Sequence, residues 1–369
     1  MYIKSLELKD FRNYEELNIQ FKNGTNILYG DNAQGKTNIL EGMYICGTTK
    51  SHKGSKDKEL IRIGQDESHI RVFIERNDVT HKIDMHLKKT KPKGVAIDGI
   101  PIKKSSELFG LIHMVFFSPE DLAIIKNGPN HRRRFIDIEL CQLDKVYLYN
   151  LTCYNKVIVQ RNNLLKQIPN KNHELFDTLS IWDTQLIHYG MEIINRRDQF
   201  ISQLNDIIVE IHRRLTNDKE ILTIEYEPNV SAEQFEEKLL RSVERDIYLK
   251  STNVGPHRDD MSFVIADKDI RKYGSQGQQR TTALSLKLAE IELVKQVIHD
   301  HPILLLDDVL SELDRNRQNQ LLNSITDIQT IVTCTGLEEF VSNRFKYDSI
   351  YHVVEGKVFP ENHIENSLY

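Results

Sequence analysis

Eight residues constrain this chain more than any others: Gly30-Asp31-Asn32-Ala33-Gln34-Gly35-Lys36-Thr37 satisfies the pattern G-x-x-x-x-G-K-[ST] at every fixed position. Such a loop works only between a buried strand and a helix, because the strand anchors it and the helix N-terminus faces the phosphates. Asn26-Ile27-Leu28-Tyr29 reads as the strand, and Asn38-Ile39-Leu40-Glu41-Gly42-Met43-Tyr44 as the first turns of the helix. The two glycines let backbone N–H groups approach phosphate oxygens, Lys36 reaches the outer phosphates, and the Thr37 hydroxyl is placed to ligate Mg²⁺. An ordinary glycine-rich turn would need neither the lysine nor the flanking apolar runs. The chain is therefore expected to be an α/β protein that holds a nucleoside triphosphate.

The rest of the chain must supply the other half of such a site. Ile303-Leu304-Leu305-Leu306-Asp307-Asp308 is an apolar run ending in two carboxylates, the form of a buried strand that delivers acids to a ligand at its carboxyl end. Asp307 is expected to hold Mg²⁺ opposite Thr37, and Asp308 to orient or deprotonate the attacking water. Ser275-Gln276-Gly277-Gln278-Gln279-Arg280 precedes an amphipathic helix with apolar Leu284, Leu288, Ile291 and Ile298. A serine and a glycine at a helix N-terminus make a second anion-binding element, although Ser275 alone would also serve as a plain cap. One nucleotide does not need two cradles. Ser275, Gly277 and Gln278 are best explained as serving the nucleotide of another copy of the chain.

Length and pattern set the organisation. With 369 residues the chain has room for two domains, or for one large α/β domain carrying an insertion. Tyr2–Leu8, Ile70–Arg76 and His81–Leu87 alternate apolar and polar residues and predict an antiparallel sheet. Lys145–Gln167 and Leu175–Leu215 carry apolar residues at helical spacing. After Val254-Gly255-Pro256 the pattern returns to strand at Met261–Ala266, helix at Gln278–His299 and strand at Ile303–Leu306. These shifts predict a nucleotide domain made of residues 1–120 and 251–369, with a helical lobe, 121–250, between its halves. The four cysteines form no C-x-x-C pair, no apolar run approaches the ~18 residues that cross a bilayer, and the chain begins on an alternating strand in place of a leader. A reduced, cytoplasmic protein is expected.

Enough ordered blocks accompany the loop to resemble a family. Phe11-Arg12-Asn13-Tyr14, Lys50-Ser51-His52, Phe117-Ser118-Pro119-Glu120-Asp121-Leu122, Asn127-Gly128-Pro129 with Arg132-Arg133-Arg134-Phe135, Gly255-Pro256-His257-Arg258-Asp259-Asp260 and Leu306–Asp314 run in the order found in the RecF family of bacterial DNA replication and repair ATPases, whose ABC-type head is related to SMC proteins. The resemblance implies a mixed sheet with an antiparallel part plus the helical insertion. It makes Ser275–Arg280 the signature that completes the site of an opposite subunit, and it places Arg12 and Asn13 at the nucleotide. It also puts Glu120 at the place of a glutamine loop and Thr335 where such heads usually carry a switch histidine. With Asp308 standing where many heads use glutamate, slow hydrolysis is expected, ATP acting as a dimer switch more than as fuel.

What the family implies for partners is DNA held without regard to sequence at single-strand gaps or junctions, an ATP-dependent homodimer, and the RecO and RecR mediator proteins in recombinase loading and the SOS response. A net charge of −5 excludes a uniformly basic coat, so local patches must meet the phosphates. Lys88, Lys89, Lys91 and Lys93 surround Pro92 as a basic hairpin tip, and a solvated turn is the plainer use of such a run. Arg132 and Arg133 would contact DNA or pair with neighbouring acids such as Asp137 and Glu139. An SMC-like tethering ATPase is the rival reading, and the absence of long heptad arms counts against it.

Overall fold

The strand Tyr2–Phe11 buries Ile3, Leu6, Leu8 and Phe11. Ile3 and Leu6 lie three apart, and they share a face because the register against Glu67–Arg76 shifts between Ile3 and Ser5, an irregularity of the β-bulge kind. Around it forms a six-stranded antiparallel sheet in the order Tyr14–Gln20, Tyr2–Phe11, Glu67–Arg76, Val79–Lys88, Gly94–Ile97, Ile100–Pro101. The structure is a computed structural model that describes residues 1–168, 173–337 and 346–361, and the side chains of 173–175 are not described.

A second six-stranded sheet is parallel except at one edge: Lys357–Glu361, Ser349–Val354, Thr25–Tyr29, Thr330–Cys334, Ile303–Asp307, Met114–Phe117. Continuous apolar runs fit strands covered on both faces, and Ile303 to Leu306 are each wholly buried. The helix Lys36–Thr48 leaves the Gly30–Gly35 loop and buries Ile39, Leu40, Met43, Ile45 and Cys46 in a core shared with both sheets. Each such aliphatic side chain contributes about 1.5–3 kcal/mol, so the loop is bolted to a core from both ends. The carboxyl ends of three neighbouring strands, at Tyr29, Asp307 and Cys334, share one edge.

These elements belong to one compact unit, Met1–Asp121 with Glu290–Tyr369; the other is Leu122–Ala289. The chain thus returns to the first unit at Glu290, not near 251, and Ser275–Arg280 belongs to the inserted unit. The insertion is also not helix alone. Beside the helices Pro129–Leu143, Lys145–Gln167 and His173–Thr216 it holds an antiparallel sheet of Leu222–Glu227, Asp260–Ile265 and Lys268–Asp269. Buried arginines organise it. Arg161 is bound by Asp183 at 2.6 Å, Asp246 at 2.7 Å and Thr252 at 2.9 Å, and Arg197 by Asp137 at 2.8 Å, Asp259 at 2.9 Å and the Pro256 carbonyl at 2.6 Å. Each cation finds carboxylates and further acceptors, as burial requires. No helix among the described residues is long and apolar enough to cross a membrane.

Candidate nucleotide site

Both glycines of the loop are fixed by geometry. Gly30 has φ 148° and a Cβ there would lie 2.3 Å from the Val353 carbonyl oxygen; Gly35 has φ 114° and a Cβ would lie 2.6 Å from Asn13 Nδ2 and 2.7 Å from the Tyr14 hydroxyl. No side chain caps the helix at Gly35, and its first turn carries no acid. Asn38 N–H already donates to the Gly35 carbonyl at 2.9 Å, so the N–H groups of Lys36 and Thr37 are the ones placed to meet an external anion.

The loop is braced from outside. Asn13 donates to the Gln34 carbonyl at 3.1 Å and accepts from Asn38 at 2.8 Å, while Gly356 N–H donates to the same Gln34 carbonyl at 3.1 Å and Glu355 N–H to the Gln34 side chain at 2.6 Å. Asn13 thus shapes the loop. Arg12 is held elsewhere: its guanidinium forks onto the wholly buried carboxylate of Glu41 at 2.7 and 2.9 Å and also donates to Ser55 at 2.8 Å. Burial opposes the Glu41 charge, but the hydrogen bonds from Arg12 and Ser51 outweigh it and keep the carboxyl below its ordinary pKa. Arg12 therefore positions the helix, and it does not line the cavity described next.

That cavity, about 290 Å³, is lined by Asn32 through Asn38, Lys53, Asp307, Asp308 and Thr333. Lys36, 7% exposed, donates through Nζ to the carbonyls of Gly30 and of Asp31, the latter at 2.8 Å. Burial lowers its pKa, against the pull of Asp308 and Asp307. Thr37 and Thr333 each donate to Asp307 Oδ1 at 2.8 Å. Asp308 sits in the left-handed region at φ 53°, where its N–H donates to the Thr333 hydroxyl at 3.0 Å. Its Oδ1 is buried without a hydrogen-bond partner. Burial raises the Asp308 pKa, Lys36 opposes the rise, and Asp307 adds to it. A lysine, a hydroxyl–carboxylate pair and a carboxylate with one unpartnered oxygen around a glycine loop fit a nucleoside triphosphate with Mg²⁺: Thr37 and Asp307 would hold the metal.

Three lining residues lay outside the sequence reading of the site: Asn38, which continues the loop into the helix, Lys53 and Thr333. Lys53 follows the basic stretch Lys50-Ser51-His52, which was the available signal; nothing local marks Thr333, whose role appears only once its strand lies beside Asp307. Glu120 and Thr335 are exposed beyond the carboxyl ends of Met114–Phe117 and Thr330–Cys334, and neither lines the cavity.

In the inserted unit, Ser275 caps the helix Gln276–Ile298 reciprocally, accepting from Gln278 N–H at 3.2 Å while its own N–H donates to Gln278 Oε1 at 2.9 Å. Gln278 also donates to Glu220 at 2.8 Å. Ser275, Gln276 and Gly277 are exposed, and a Cβ at Gly277 would meet nothing closer than 3.8 Å. Folding does not demand glycine there.

The basic candidates need correction. Arg132 is 1% exposed and forks onto Asp260 at 2.6 and 2.9 Å, so it is a buried structural cation whose acid is neither Asp137 nor Glu139. Arg133 donates to the Asp259 carbonyl and to Asn130. Lys88 pairs with Glu67 at 3.2 Å and Lys89 with Asp66 at 3.1 Å; Lys93, 13% exposed, turns inward to Asp57 at 3.1 Å and the Thr49 carbonyl. Lys91 is exposed with no ion-pair partner among the described residues.

Comparison with known proteins gives the chain a family and a fold. The profile of the RecF/RecN/SMC N-terminal domain family matches residues 2–357. The DNA replication and repair protein RecF of Lachnoclostridium phytofermentans is 68% identical over 358 residues, covering 97% of this chain and 99% of that protein. RecF of Clostridium botulinum is 45% identical over 364 residues, covering 97% and 99%. A solved structure of the recombination mediator protein RecF with ATP, described in the RecFOR pathway, superposes with a TM-score of 0.91 at 34% identity and covers 98% of each chain. An Smc head bound to the C-winged helix domain of ScpA, at 17% identity and a TM-score of 0.58 over 100% of this chain and 99% of that one, shares the fold.

Proposed function

The chain belongs to the RecF/RecN/SMC N-terminal domain family, and we propose that it is an ATP-switched DNA-repair protein whose two copies close on a pair of nucleotides and grip DNA. The ABC-type ATPase head is the fold of its RecF relatives. The observation that carries the proposal is Asp308 beside the glycine loop: a buried carboxylate oxygen without a partner, in the cavity that Lys36, Thr37 and Asp307 line. ATP binding is supported by the likeness to a RecF structure that contains it.

On ATP binding, Lys36 exchanges the carbonyls of Gly30 and Asp31 for phosphate oxygens. The first-turn N–H groups of Lys36–Thr48 meet the same charge. Mg²⁺, when bound, offsets phosphate charge, and Thr37 and Asp307 are the residues that would hold it. Asp308, its pKa raised by burial, accepts the proton of the attacking water. Ser275 and Gly277 act on the nucleotide of the second copy; their exposure and the lack of any folding need for Gly277 support that use. Hydrolysis then releases the dimer. DNA is held by backbone contacts, Lys91 among them, and the protein works with RecO and RecR in loading recombinase at gaps, in support of the SOS response.

The test measures oligomeric state and DNA affinity without nucleotide, with ADP, and with ATP plus Mg²⁺. Wild type should dimerise and bind DNA more tightly only with ATP plus Mg²⁺, and Lys36→Arg and Ser275→Arg should lose the response. A wild type that stays monomeric with ATP and DNA at micromolar concentration would sink the switch.

A further inference from the structure

The antiparallel sheet carries a second group of metal-ligating side chains, away from the nucleotide. His69 and His86 are opposed partners on Glu67–Arg76 and Val79–Lys88, and Glu67, two residues before His69, shares its face. Ser68, Ile70, Met85 and Leu87 point the other way into the core, so the histidines stand on the outer face. Their rings stack with centroids 4.0 Å apart and planes 22° apart, and His86 Nε2 lies 2.7 Å from Glu67 Oε2. One ligand atom from each of the three residues can be chosen so that all lie within 4.8 Å of one another.

We propose that Glu67, His69 and His86 bind a divalent transition-metal ion of the zinc class. Tetrahedral ligands about 2.0–2.2 Å from the ion are roughly 3.3 Å apart. Side-chain rotation covers the difference, because cross-strand register already fixes the Cβ positions. Two imidazoles and one carboxylate favour Zn²⁺, Ni²⁺ or Cu²⁺ over the Mg²⁺ of the nucleotide site. Glu67 Oε1 lies 3.2 Å from Lys88, while Oε2 faces His86 Nε2 at 2.7 Å, so a bound ion would enter between Oε2 and the imidazole. Opposite His86 the next strand offers only Gly94, and a cavity of about 660 Å³ lined in part by His69, His86, Lys9 and Arg71 leaves room for the remaining ligands, water or a donor from a partner.

The test titrates the full chain with Co²⁺, read by its visible absorption, and with Zn²⁺ against a chromophoric chelator, in millimolar Mg²⁺ to occupy oxygen sites. One equivalent per chain is expected. His69→Ala and His86→Ala should each weaken binding about tenfold or more and Glu67→Gln by less, with ATP binding and far-ultraviolet circular dichroism unchanged. His81→Ala, on the same strand as His86, should leave binding intact. Zn²⁺ uptake by the His69→Ala/His86→Ala double variant as tight as wild type, or no wild-type binding tighter than millimolar, would overturn the site.

Discussion

Asp308 is charged at a cost. Its folded pKa is raised, so the stability it contributes is full below the ordinary carboxylate range and is lost as pH rises through the folded value. Asp308→Asn should therefore be more stable than wild type at neutral pH, with the gap closing in acid; asparagine also tolerates φ 53°. The same variant should lose roughly 10²-fold or more of its ATP hydrolysis while still binding ATP. Paired melting curves at pH 4 and 7 with single-turnover assays check both halves. Asn13 acts through Gln34, so Asn13→Ala should raise the ATP dissociation constant by about tenfold, the worth of one or two hydrogen bonds, with little change in melting temperature; calorimetric titration reads it. The fixed pattern made Lys36 and Thr37 legible in the sequence. The brace of Asn13 was not, because its neighbours at Gln34 and Gly356 meet it only through the fold.

At the scale of elements, the apolar pattern carried furthest: helical spacing where one face is buried, and a continuous run where both are. Lys145–Gln167 is helical over the expected span, and Ile303–Asp307 forms as a buried strand. Leu222–Glu227 was missed because a six-residue strand between long helices earns its place only by pairing with Asp260–Ile265, far along the chain. Arg132 misled for the same reason: its sequence offered DNA or the neighbouring acids Asp137 and Glu139 as partners, yet its acid, Asp260, lies 128 residues away. The inserted unit has its own titration. His257 is held between the Tyr154 hydroxyl at 2.7 Å and the Thr252 carbonyl at 3.0 Å, and burial pushes its pKa down to about 4. Its contribution to stability is present above the ordinary histidine value and is lost as pH falls from about 6.5 toward 4. Denaturant unfolding followed by Trp182, the single tryptophan, should show this loss, and His257→Gln should flatten it.

For the whole molecule, the two halves of the proposed composite site lie in different compact units, Gly30–Thr37 in one and Ser275–Arg280 in the other. If the signature acts across a dimer, a mixture of Lys36→Arg and Ser275→Arg chains places both lesions at one site and leaves the other whole. Such a mixture should recover a substantial part of the ATP-dependent DNA binding that neither variant shows alone; gel-shift titration at fixed total protein measures it. Recovery would not occur if each chain completed its own site.

The brace on the nucleotide loop has a consequence for synthesis. Gly30 packs against the Val353 carbonyl, and Gln34 is tied to Glu355 and Gly356. A loop made early in translation is therefore finished only after the hairpin Ser349–Val354 and Lys357–Glu361 has left the ribosome. Until then the nascent chain carries the motif without its shape, so a product truncated before that hairpin would be blind to nucleotide and, on the proposed switch, would not join a dimer with intact copies.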